Sequence, residues 1–471
     1  MNSTTPSKPA NDHTFQVIKG IFVALGLCLI LWIGKIMIID QKEIQTNAYN
    51  PRLNEEEETV IRGSILAASG EVLAYTEMQE DGSQGRVYPY GEAFAHVTGY
   101  VGRGKAGLEL AANDLLLQPP DLLSTLKSWA KEEALPGCNV ITTIDFAQQQ
   151  KIYEQMAAYK GAVVITEPST GKCKVFVSTP SYHPADIKDH WETIADREDS
   201  PLYTRATQGL YAPGSTFKII TALTMYRNMS DYQTYRYVCP GAYQIGSETL
   251  GCAGGTVHGE MDIENGFADS CNGFFASAGV LMGGDAIRST AEYLKLGSSY
   301  EFILPQSETS VVVSDDDSDG MIAQTAIGQG ETQFTPFAMN MLTCAIANQG
   351  ILYTPYMIDQ VVDAEGKQVQ KNLPKLWGTV MKAEEAAFLE RLMAGVIEHG
   401  TATSLQMDGC TVYGKTGTAQ VDQGEDHSWF TGYTKVNGKV DLAITILIEN
   451  GGSDKRAVPL AQQILNDYYG S

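Results

Sequence analysis

Three short motifs in this chain carry residue types that can perform acyl transfer. They are Ser215-Thr-Phe-Lys218, Ser270-Cys-Asn272 and Lys415-Thr-Gly-Thr418, in that order along the sequence. Together they supply a hydroxyl nucleophile, side chains that can carry protons, an amide that can hold a substrate, and a strand edge containing glycine. This set of groups is typical of an enzyme that forms and then breaks an ester at a serine.

The sequence around Ser215 distinguishes its motif from chance occurrences. Ser215 follows Pro213 and Gly214 and opens an apolar run that continues to Tyr226 without a helix breaker. Such a run predicts a buried helix, whose positive N-terminal end would lie close to the Ser215 backbone N–H. Lys218 lies three residues on, on the same helix face, and in an apolar site it would be a neutral amine able to accept the serine proton.

The pattern Ser-x-x-Lys occurs at three further places, and none has this context. Ser169 lies in the predicted turn of a hairpin between strands Ala162–Glu167 and Cys173–Ser178. Ser124 and Ser128 lie in a polar stretch with no turn before either serine. We interpret the copies at Ser124 and Ser128 as exposed surface.

The third motif is predicted to lie on a strand, Thr411–Ala419. Alternation places Thr416 and Thr418 on one face and Lys415 on the other. Gly417 leaves room for a substrate backbone to lie against the strand, and the Thr418 N–H is a candidate oxyanion donor beside that of Ser215.

The three motifs resemble those of monofunctional (class B) penicillin-binding proteins, which are serine D,D-transpeptidases anchored in the membrane. The resemblance covers most of the region from Arg52 to the C-terminus. It implies an α/β (α+β) fold with a central antiparallel sheet and a helical cluster, a small N-terminal pedestal and one transmembrane helix. The supporting segments are Asn50-Pro-Arg52, Arg62-Gly63, Gly107-Leu-Glu109, Gly161-Ala-Val-Val164, Tyr211-Ala-Pro-Gly214, Gly328-Gln-Gly330 and Gly414-Lys-Thr-Gly-Thr-Ala-Gln420.

The resemblance also implies a role for each catalytic residue. Ser215 would attack the penultimate D-alanine carbonyl of a peptidoglycan stem peptide and form an acyl-enzyme, with Lys218 as the base. Ser270 would relay a proton toward the leaving amine, with Lys415 nearby. Asn272 would hydrogen-bond the peptide backbone.

Substrate binding is expected along the strand of the third motif. Thr416 and Thr418 would receive the substrate carboxylate, with Gly417 between them and Lys415 adding a positive field. β-Lactam antibiotics resemble the acyl donor and would acylate Ser215 covalently. One alternative is a D,D-carboxypeptidase or β-lactamase, in which water hydrolyses the acyl-enzyme. Another is a non-catalytic β-lactam sensor or scaffold.

An apolar segment near the N-terminus predicts the membrane anchor. Residues 20–34 carry no charge, no small-x-small cleavage motif follows, and the stretch gives about twenty residues of spanning length. The expected organisation is a cytoplasmic tail (1–14), a transmembrane anchor (15–39), an N-terminal pedestal domain (40–155) and a penicillin-binding transpeptidase domain (156–471). By resemblance, the enzyme domain lies outside the cell membrane and the partner is a membrane glycosyltransferase of the shape and division family.

Charge limits the classes of partner further. The chain has 33 Lys and Arg against 56 Asp and Glu, a formal net charge of −23. Binding to nucleic-acid phosphates needs a basic surface, and no basic cluster is evident in the sequence. We therefore expect no nucleic-acid partner.

Four residues near the second motif form a possible metal site. Cys239, Cys252 and His258 follow the spacing Cys-x12-Cys-x5-His, and Cys271 lies between Ser270 and Asn272. Three thiolates and an imidazole would hold a structural zinc ion tetrahedrally. A Cys239–Cys252 disulfide and plain free thiols remain open alternatives. By resemblance the reaction itself needs no cofactor.

Local signals predict the elements of the C-terminal third. Thr335 as N-cap and Pro336 at the first helical position begin a helix that runs toward Gly350. Strands His427–Thr434 and Val440–Glu449 flank a tight turn at Asn437-Gly438. An amphipathic helix from Ala457 to Tyr468 follows.

Overall fold

The structure of the chain is a computed structural model, which describes residues 12–38, 60–80, 82–119, 135–246, 248–421, 424–452 and 456–470. The Ser-x-x-Lys copies at Ser124 and Ser128 lie outside the described residues. By its internal contacts the chain separates into two units, Met1–Glu58 and Thr59–Ser471.

The described part of the first unit is one helix, α1 (Asp12–Ile38). Its stretch Phe15–Lys35 spans 21 residues with a mean hydropathy of 2.4, which is long and apolar enough to cross a membrane. This helix covers the described part of the predicted anchor; residue 39 and most of the predicted tail lie outside the described residues.

The second unit mixes helices and strands along its length. Its helices are α2 (Ala95–Thr98), α3 (Gly107–Ala111), α4 (Asn113–Leu116), α5 (Phe146–Met156), α6 (Ile187–Ala195), α7 (Lys218–Asn228), α8 (Ile263–Ala268), α9 (Asn272–Met282), α10 (Gly284–Tyr293), α11 (Asp319–Ala326), α12 (Pro336–Ala347), α13 (Ala383–Glu398) and α14 (Ala457–Tyr469).

Its strands are β1 (Val60–Ile61), β2 (Ile65–Leu66), β3 (Val72–Met78), β4 (Gln84–Val87), β5 (Val101–Gly102), β6 (Gly104–Lys105), β7 (Leu135–Pro136), β8 (Asn139–Thr142), β9 (Gly161–Glu167), β10 (Lys172–Thr179), β11 (Tyr237–Cys239), β12 (Ala242–Ile245), β13 (Glu248–Gly251), β14 (Gly259–Met261), β15 (Ile351–Tyr353), β16 (Ile358–Val362), β17 (Gln368–Lys371), β18 (Leu376–Thr379), β19 (Thr411–Ala419), β20 (His427–Val436) and β21 (Lys439–Ile448).

The central sheet is antiparallel and joins the two ends of the second unit. Its strand order is β10-β9-β21-β20-β19, so the predicted hairpin β9–β10 pairs with strands from the C-terminal end. The β20–β21 turn has positive φ at both Asn437 (51°) and Gly438 (76°), as a two-residue hairpin turn requires. The strand of the third motif, β19, lies at the edge of this sheet.

Helix α12 packs against this sheet and is buried along its whole length. It begins as predicted, because the Thr335 hydroxyl accepts a hydrogen bond of 3.0 Å from the Ala338 N–H. The Asn340 side-chain amide donates to the Val164 and Ala443 carbonyl oxygens, each at 3.2 Å, and so ties the helix to two strands. These bonds satisfy polar groups that burial would otherwise leave unpaired.

Helices α7 to α11 form a cluster beside the sheet, with α7 packed against α9 and α10, and α9 against α11. Residues 218–225 of α7 are all buried, which confirms the helix predicted after Ser215. A tighter 3₁₀ turn, Gly214–Phe217, leads directly into α7. The central antiparallel sheet and the helical cluster confirm the predicted α/β (α+β) class.

A second sheet crosses the predicted boundary between residues 155 and 156. Its order is β17-β16-β8-β2-β3-β4, so strands from residues 358–371 pair beside strands from residues 65–87 and 139–142. A buried ion cluster lies beside it: Glu109 accepts from Arg62 Nε at 2.6 Å and from Arg86 Nε at 2.7 Å. These guanidiniums outweigh desolvation and hold the pKa of the Glu109 carboxyl below its usual range.

Candidate active site

The nucleophile candidate Ser215 lies where the 3₁₀ turn meets the edge strand β19. Gly214 has φ of 52°, and a Cβ there would lie 2.4 Å from the Thr418 carbonyl oxygen. A Cβ on Gly417 would lie 2.9 Å from Thr216 Cγ2. Only glycines at these two positions allow the turn and the strand to approach this closely, and their contact places Ser215 beside Thr418.

A polar cluster supports the chain just before this turn. Tyr211 Oη and Arg205 Nε each donate to Glu449 Oε1 at 2.7 Å. The Tyr211 N–H donates to the Phe334 carbonyl oxygen at 3.0 Å, and the reverse bond is 2.8 Å. The sequence analysis did not identify this support, because its members are far apart in the chain.

The amine of Lys218 lies within hydrogen-bonding distance of two residues of the second motif. Its Nζ lies 2.7 Å from the Ser270 carbonyl oxygen, 2.7 Å from Asn272 Oδ1 and 3.2 Å from Ser270 Oγ. The side chain is fully buried, and its Nζ lies 5.6 Å from the ring centroid of Phe275. The first two motifs are thus joined through a single amine.

Burial lowers the pKa of Lys218 to about 7, although Cys271 and Cys252 oppose this shift. Loss of solvation disfavours the ammonium more than the two sulfur atoms favour it. A neutral amine has two N–H groups and one lone pair. The two N–H groups match the Ser270 and Asn272 carbonyl oxygens at 2.7 Å, which leaves the lone pair to accept a proton.

Lys415 reaches the same serine from the edge strand. Its fully buried Nζ donates to Ser270 Oγ at 2.9 Å and to the Thr416 carbonyl oxygen at 3.2 Å. Because Ser270 Oγ accepts from Lys415, its own proton is available for the lone pair of Lys218. Lys415, Ser270 and Lys218 therefore form a continuous path for a proton.

The turn that presents Ser270 has an unusual backbone. Ser270 has φ of 57°, a left-handed conformation that costs a non-glycine residue about 1 kcal/mol. The Cys271 N–H donates to the Gly266 carbonyl oxygen at 2.9 Å and closes the turn. Asn272 then begins α9, and its Nδ2 donates to the Gly251 carbonyl oxygen at 2.8 Å. One further N–H of the Asn272 amide remains to bind a ligand.

Thr416, Gly417 and Thr418 lie in the nine-residue strand β19, as predicted. The Thr416 hydroxyl lies 2.7 Å from the hydroxyl of Thr401, a residue that the sequence analysis did not identify. Thr401 follows the end of α13, and a position after a helix carries no signal for a site.

The structure brings the four predicted metal ligands together. The sulfur of Cys239 lies 3.5 Å from that of Cys252 and 3.6 Å from His258 Nδ1, and the sulfurs of Cys252 and Cys271 are 3.9 Å apart. All four ligand atoms lie within 4.8 Å of one another. The three cysteines are buried and unbonded to each other.

A serine three residues before a buried lysine of lowered pKa, a second serine hydrogen-bonded to two lysines, and an edge strand beside them are the groups that serine acyltransferases use. Residues 161–469 match the penicillin binding protein transpeptidase domain, and residues 62–140 match the penicillin binding protein A dimerisation domain.

Relatives resemble the chain over nearly its whole length. It is 30% identical to peptidoglycan D,D-transpeptidase PbpA of Mycobacterium tuberculosis, over 93% of this chain and 94% of the relative. It is 29% identical to PbpA of Mycolicibacterium smegmatis, over 92% and 94%.

Two solved structures also resemble this chain over most of its length. The imipenem acyl-enzyme complex of penicillin-binding protein A from M. tuberculosis matches with a TM-score of 0.79 and 28% identity, over 87% of this chain and 99% of that chain. A D,D-transpeptidase domain from Eggerthella lenta matches with a TM-score of 0.78 and 30% identity, over 87% and 98%. The chain belongs to the penicillin-binding protein transpeptidase family.

Proposed function

We propose that this chain is a peptidoglycan D,D-transpeptidase that cross-links stem peptides through an acyl-enzyme at Ser215, and that β-lactams inhibit it by acylating the same serine. The observation that carries the proposal is the hydrogen-bonded path from Lys415 through Ser270 to Lys218, beside the turn that bears Ser215. A path of this kind has no use in a protein that only binds peptide.

In acylation, neutral Lys218 takes the Ser215 proton while Ser215 Oγ attacks the penultimate D-alanine carbonyl. The carbonyl oxygen gains the negative charge and faces the backbone N–H groups of Ser215 and Thr418. The intermediate collapses when the carbon–nitrogen bond to the terminal D-alanine breaks. Ser270 delivers a proton to the departing amine and is reprotonated along the path from Lys218 or Lys415.

The substrate is held on both sides of the reacting carbonyl. The Asn272 amide donates its remaining N–H to the peptide backbone, which lies along the edge of β19. The predicted role of Gly417 in leaving room for that backbone is replaced by its contact with Thr216 of the 3₁₀ turn. Thr416 and Thr418 donate to the terminal carboxylate, and Lys415 adds positive charge beneath them. In the second half-reaction an amine of a neighbouring stem peptide attacks the ester and Ser215 regains its proton.

A labelling experiment tests the nucleophile. Full-length protein incubated with a fluorescent penicillin should become covalently labelled, and Ser215→Ala should abolish the label. Ser169→Ala is the matched control, because Ser169 also belongs to a Ser-x-x-Lys pattern but lies exposed in the β9–β10 turn. Labelling that persists in Ser215→Ala would refute the assignment.

A second experiment separates transfer from hydrolysis. The protein is incubated with lipid-linked peptidoglycan precursor and a glycan polymerase, and the digested products are separated by mass. Cross-linked dimers support the transpeptidase proposal. Release of D-alanine without dimers would assign a D,D-carboxypeptidase instead, and labelling without either product would assign a β-lactam sensor.

The cluster of Cys239, Cys252, His258 and Cys271 supports a structural zinc site. Zinc–sulfur bonds of about 2.3 Å in a tetrahedron place sulfur atoms about 3.8 Å apart. The Cys239–Cys252 and Cys252–Cys271 sulfur–sulfur distances, 3.5 and 3.9 Å, bracket this value. Four protein ligands leave no open position for a substrate, so the ion would hold β11, the 252–258 turn and the Ser270–Asn272 turn together and take no part in the chemistry.

Metal analysis of protein purified under reducing conditions without chelator tests the site. We expect about one zinc per chain, and much less in Cys239→Ser. Cys344→Ser is the control, because Cys344 is also a buried thiol but lies in α12. Absence of zinc from the unaltered protein would remove the proposal and leave free thiols or a disulfide.

The remaining proposals concern placement and partners. Residues 1–14 are a cytoplasmic tail, 15–39 a single membrane anchor, 40–155 a pedestal and 156–471 an extracytoplasmic transpeptidase domain. The matches at 62–140 and 161–469 fall within the last two segments and support this division. The second sheet joins the two segments, because β16 pairs with β8 across the boundary. We also infer a membrane glycosyltransferase of the shape and division family as partner, which co-purification of the full-length protein tests.

A further inference from the structure

Thr401 contacts the third motif and the residue that lies two positions before the second motif. Its N–H donates to the Ala268 carbonyl oxygen at 3.2 Å, two residues before Ser270. Its Oγ1 lies 2.7 Å from Oγ1 of Thr416, one residue after Lys415. A Cβ on Gly400 would lie 2.4 Å from the same Ala268 oxygen, so the glycine before Thr401 allows this close approach.

The direction of the hydrogen bond between the two hydroxyls decides which of them has a proton left for a ligand. A threonine hydroxyl has one proton to donate and two lone pairs that accept. If Thr416 donated to Thr401, it would present only lone pairs to a carboxylate and repel it. If Thr401 donates to Thr416, the Thr416 proton is free for the carboxylate, where a charge-assisted bond forms. Binding of a carboxylate therefore selects the second arrangement.

We propose that Thr401 is a positioning residue for recognition of the acyl donor's carboxylate: it donates to Thr416 and thereby directs the Thr416 O–H toward that carboxylate. The inference rests on the proposed function, and it adds a residue outside the three motifs to the specificity of the site. Its anchoring to the Ala268 carbonyl also fixes the distance between the Ser270 turn and β19 at this point.

The proposal makes a prediction that depends on the ligand. Thr401→Val has nearly the same shape and keeps the backbone bond to Ala268, but it lacks the hydroxyl. The loss of one hydrogen bond of about 1 kcal/mol corresponds to about a fivefold slower acylation. Acylation should slow only with an acyl donor that carries a free carboxylate. An esterified carboxyl group has no negative charge, so it gains little from the directed Thr416 proton. Thr401→Ser keeps the hydroxyl and should acylate at the normal rate.

The experiment measures second-order acylation of full-length protein in detergent by a penicillin and by the methyl ester of the same penicillin. We expect Thr401→Val to slow the penicillin about fivefold and the ester less than about twofold. Equal slowing with both probes would reduce Thr401 to a structural role and overturn the proposal, as would an unchanged rate with the penicillin. Failure of the unaltered protein to react with the penicillin would instead refute the proposed function and, with it, this inference.

Discussion

The pH dependence of acylation tests whether Lys218 is the base. Burial lowers the pKa of Lys218 to about 7, so the amine is mostly charged below that pH and mostly neutral above it. Only the neutral form can take the Ser215 proton. The acylation rate should therefore rise with pH through about 7 and then reach a plateau.

The size of the rise follows from the lowered pKa. With a pKa of about 7, the neutral fraction is about 9% at pH 6 and about 91% at pH 8, a change of about tenfold. With an ordinary lysine pKa of about 10.4, the neutral fraction would rise about 100-fold over the same interval and continue to rise beyond pH 9. The lowered and the ordinary lysine pKa therefore predict pH–rate profiles that differ in slope and in the pH at which the rate becomes constant.

The assay is stopped-flow acylation of full-length protein by a chromogenic β-lactam from pH 6 to pH 9.5, corrected for hydrolysis of the β-lactam alone. We expect a single ionisation with a midpoint near 7 and little change above pH 8.5. A rate that climbs tenfold per pH unit throughout, or one that does not vary with pH, would refute the reasoning about Lys218.

Two further predictions concern the proton path and the buried ion cluster. Ser270→Ala removes the hydroxyl next to Lys415, and we expect acylation to slow about 100-fold or more in the same assay; a rate within about threefold of normal would contradict the path. Glu109→Ala leaves Arg62 and Arg86 buried without their shared carboxylate, and we expect a loss of about 3 kcal/mol in denaturant unfolding. Exposed Glu154→Ala is its control, and equal stability of the two variants would count against the cluster.

Local sequence signals predicted much of the fold. The N-cap at Thr335, the turn at Asn437-Gly438 and the strand Thr411–Ala419 each depend on a few neighbouring residues, and the structure confirms all three. The apolar residues of 60–66 resemble one strand, but they form two short strands, Val60–Ile61 and Ile65–Leu66. Arg62 between them is buried against Glu109, a contact 47 residues away that local pattern does not contain.

The site itself could be predicted only in part. The three motifs can be recognised by residue type and spacing, and the structure places Lys218, Ser270, Asn272 and Lys415 from them within hydrogen-bonding distance of one another. Thr401 hydrogen-bonds Thr416, and Tyr211 hydrogen-bonds Glu449. The partners in the second pair are far apart in the sequence, and neither pair belongs to a local pattern. The pairing of strands from residues 358–371 with the N-terminal sheet could not be predicted either, because long-range pairing leaves no periodic signal in either segment.

Peptide mapping of the acylated protein tests the central claim most directly. Full-length protein is reacted with benzylpenicillin, digested, and sequenced by tandem mass spectrometry to locate the added mass. The account predicts one adduct, on Ser215, with the peptides containing Ser270 and Ser169 unmodified. An adduct on any other residue, or none at all, would contradict it.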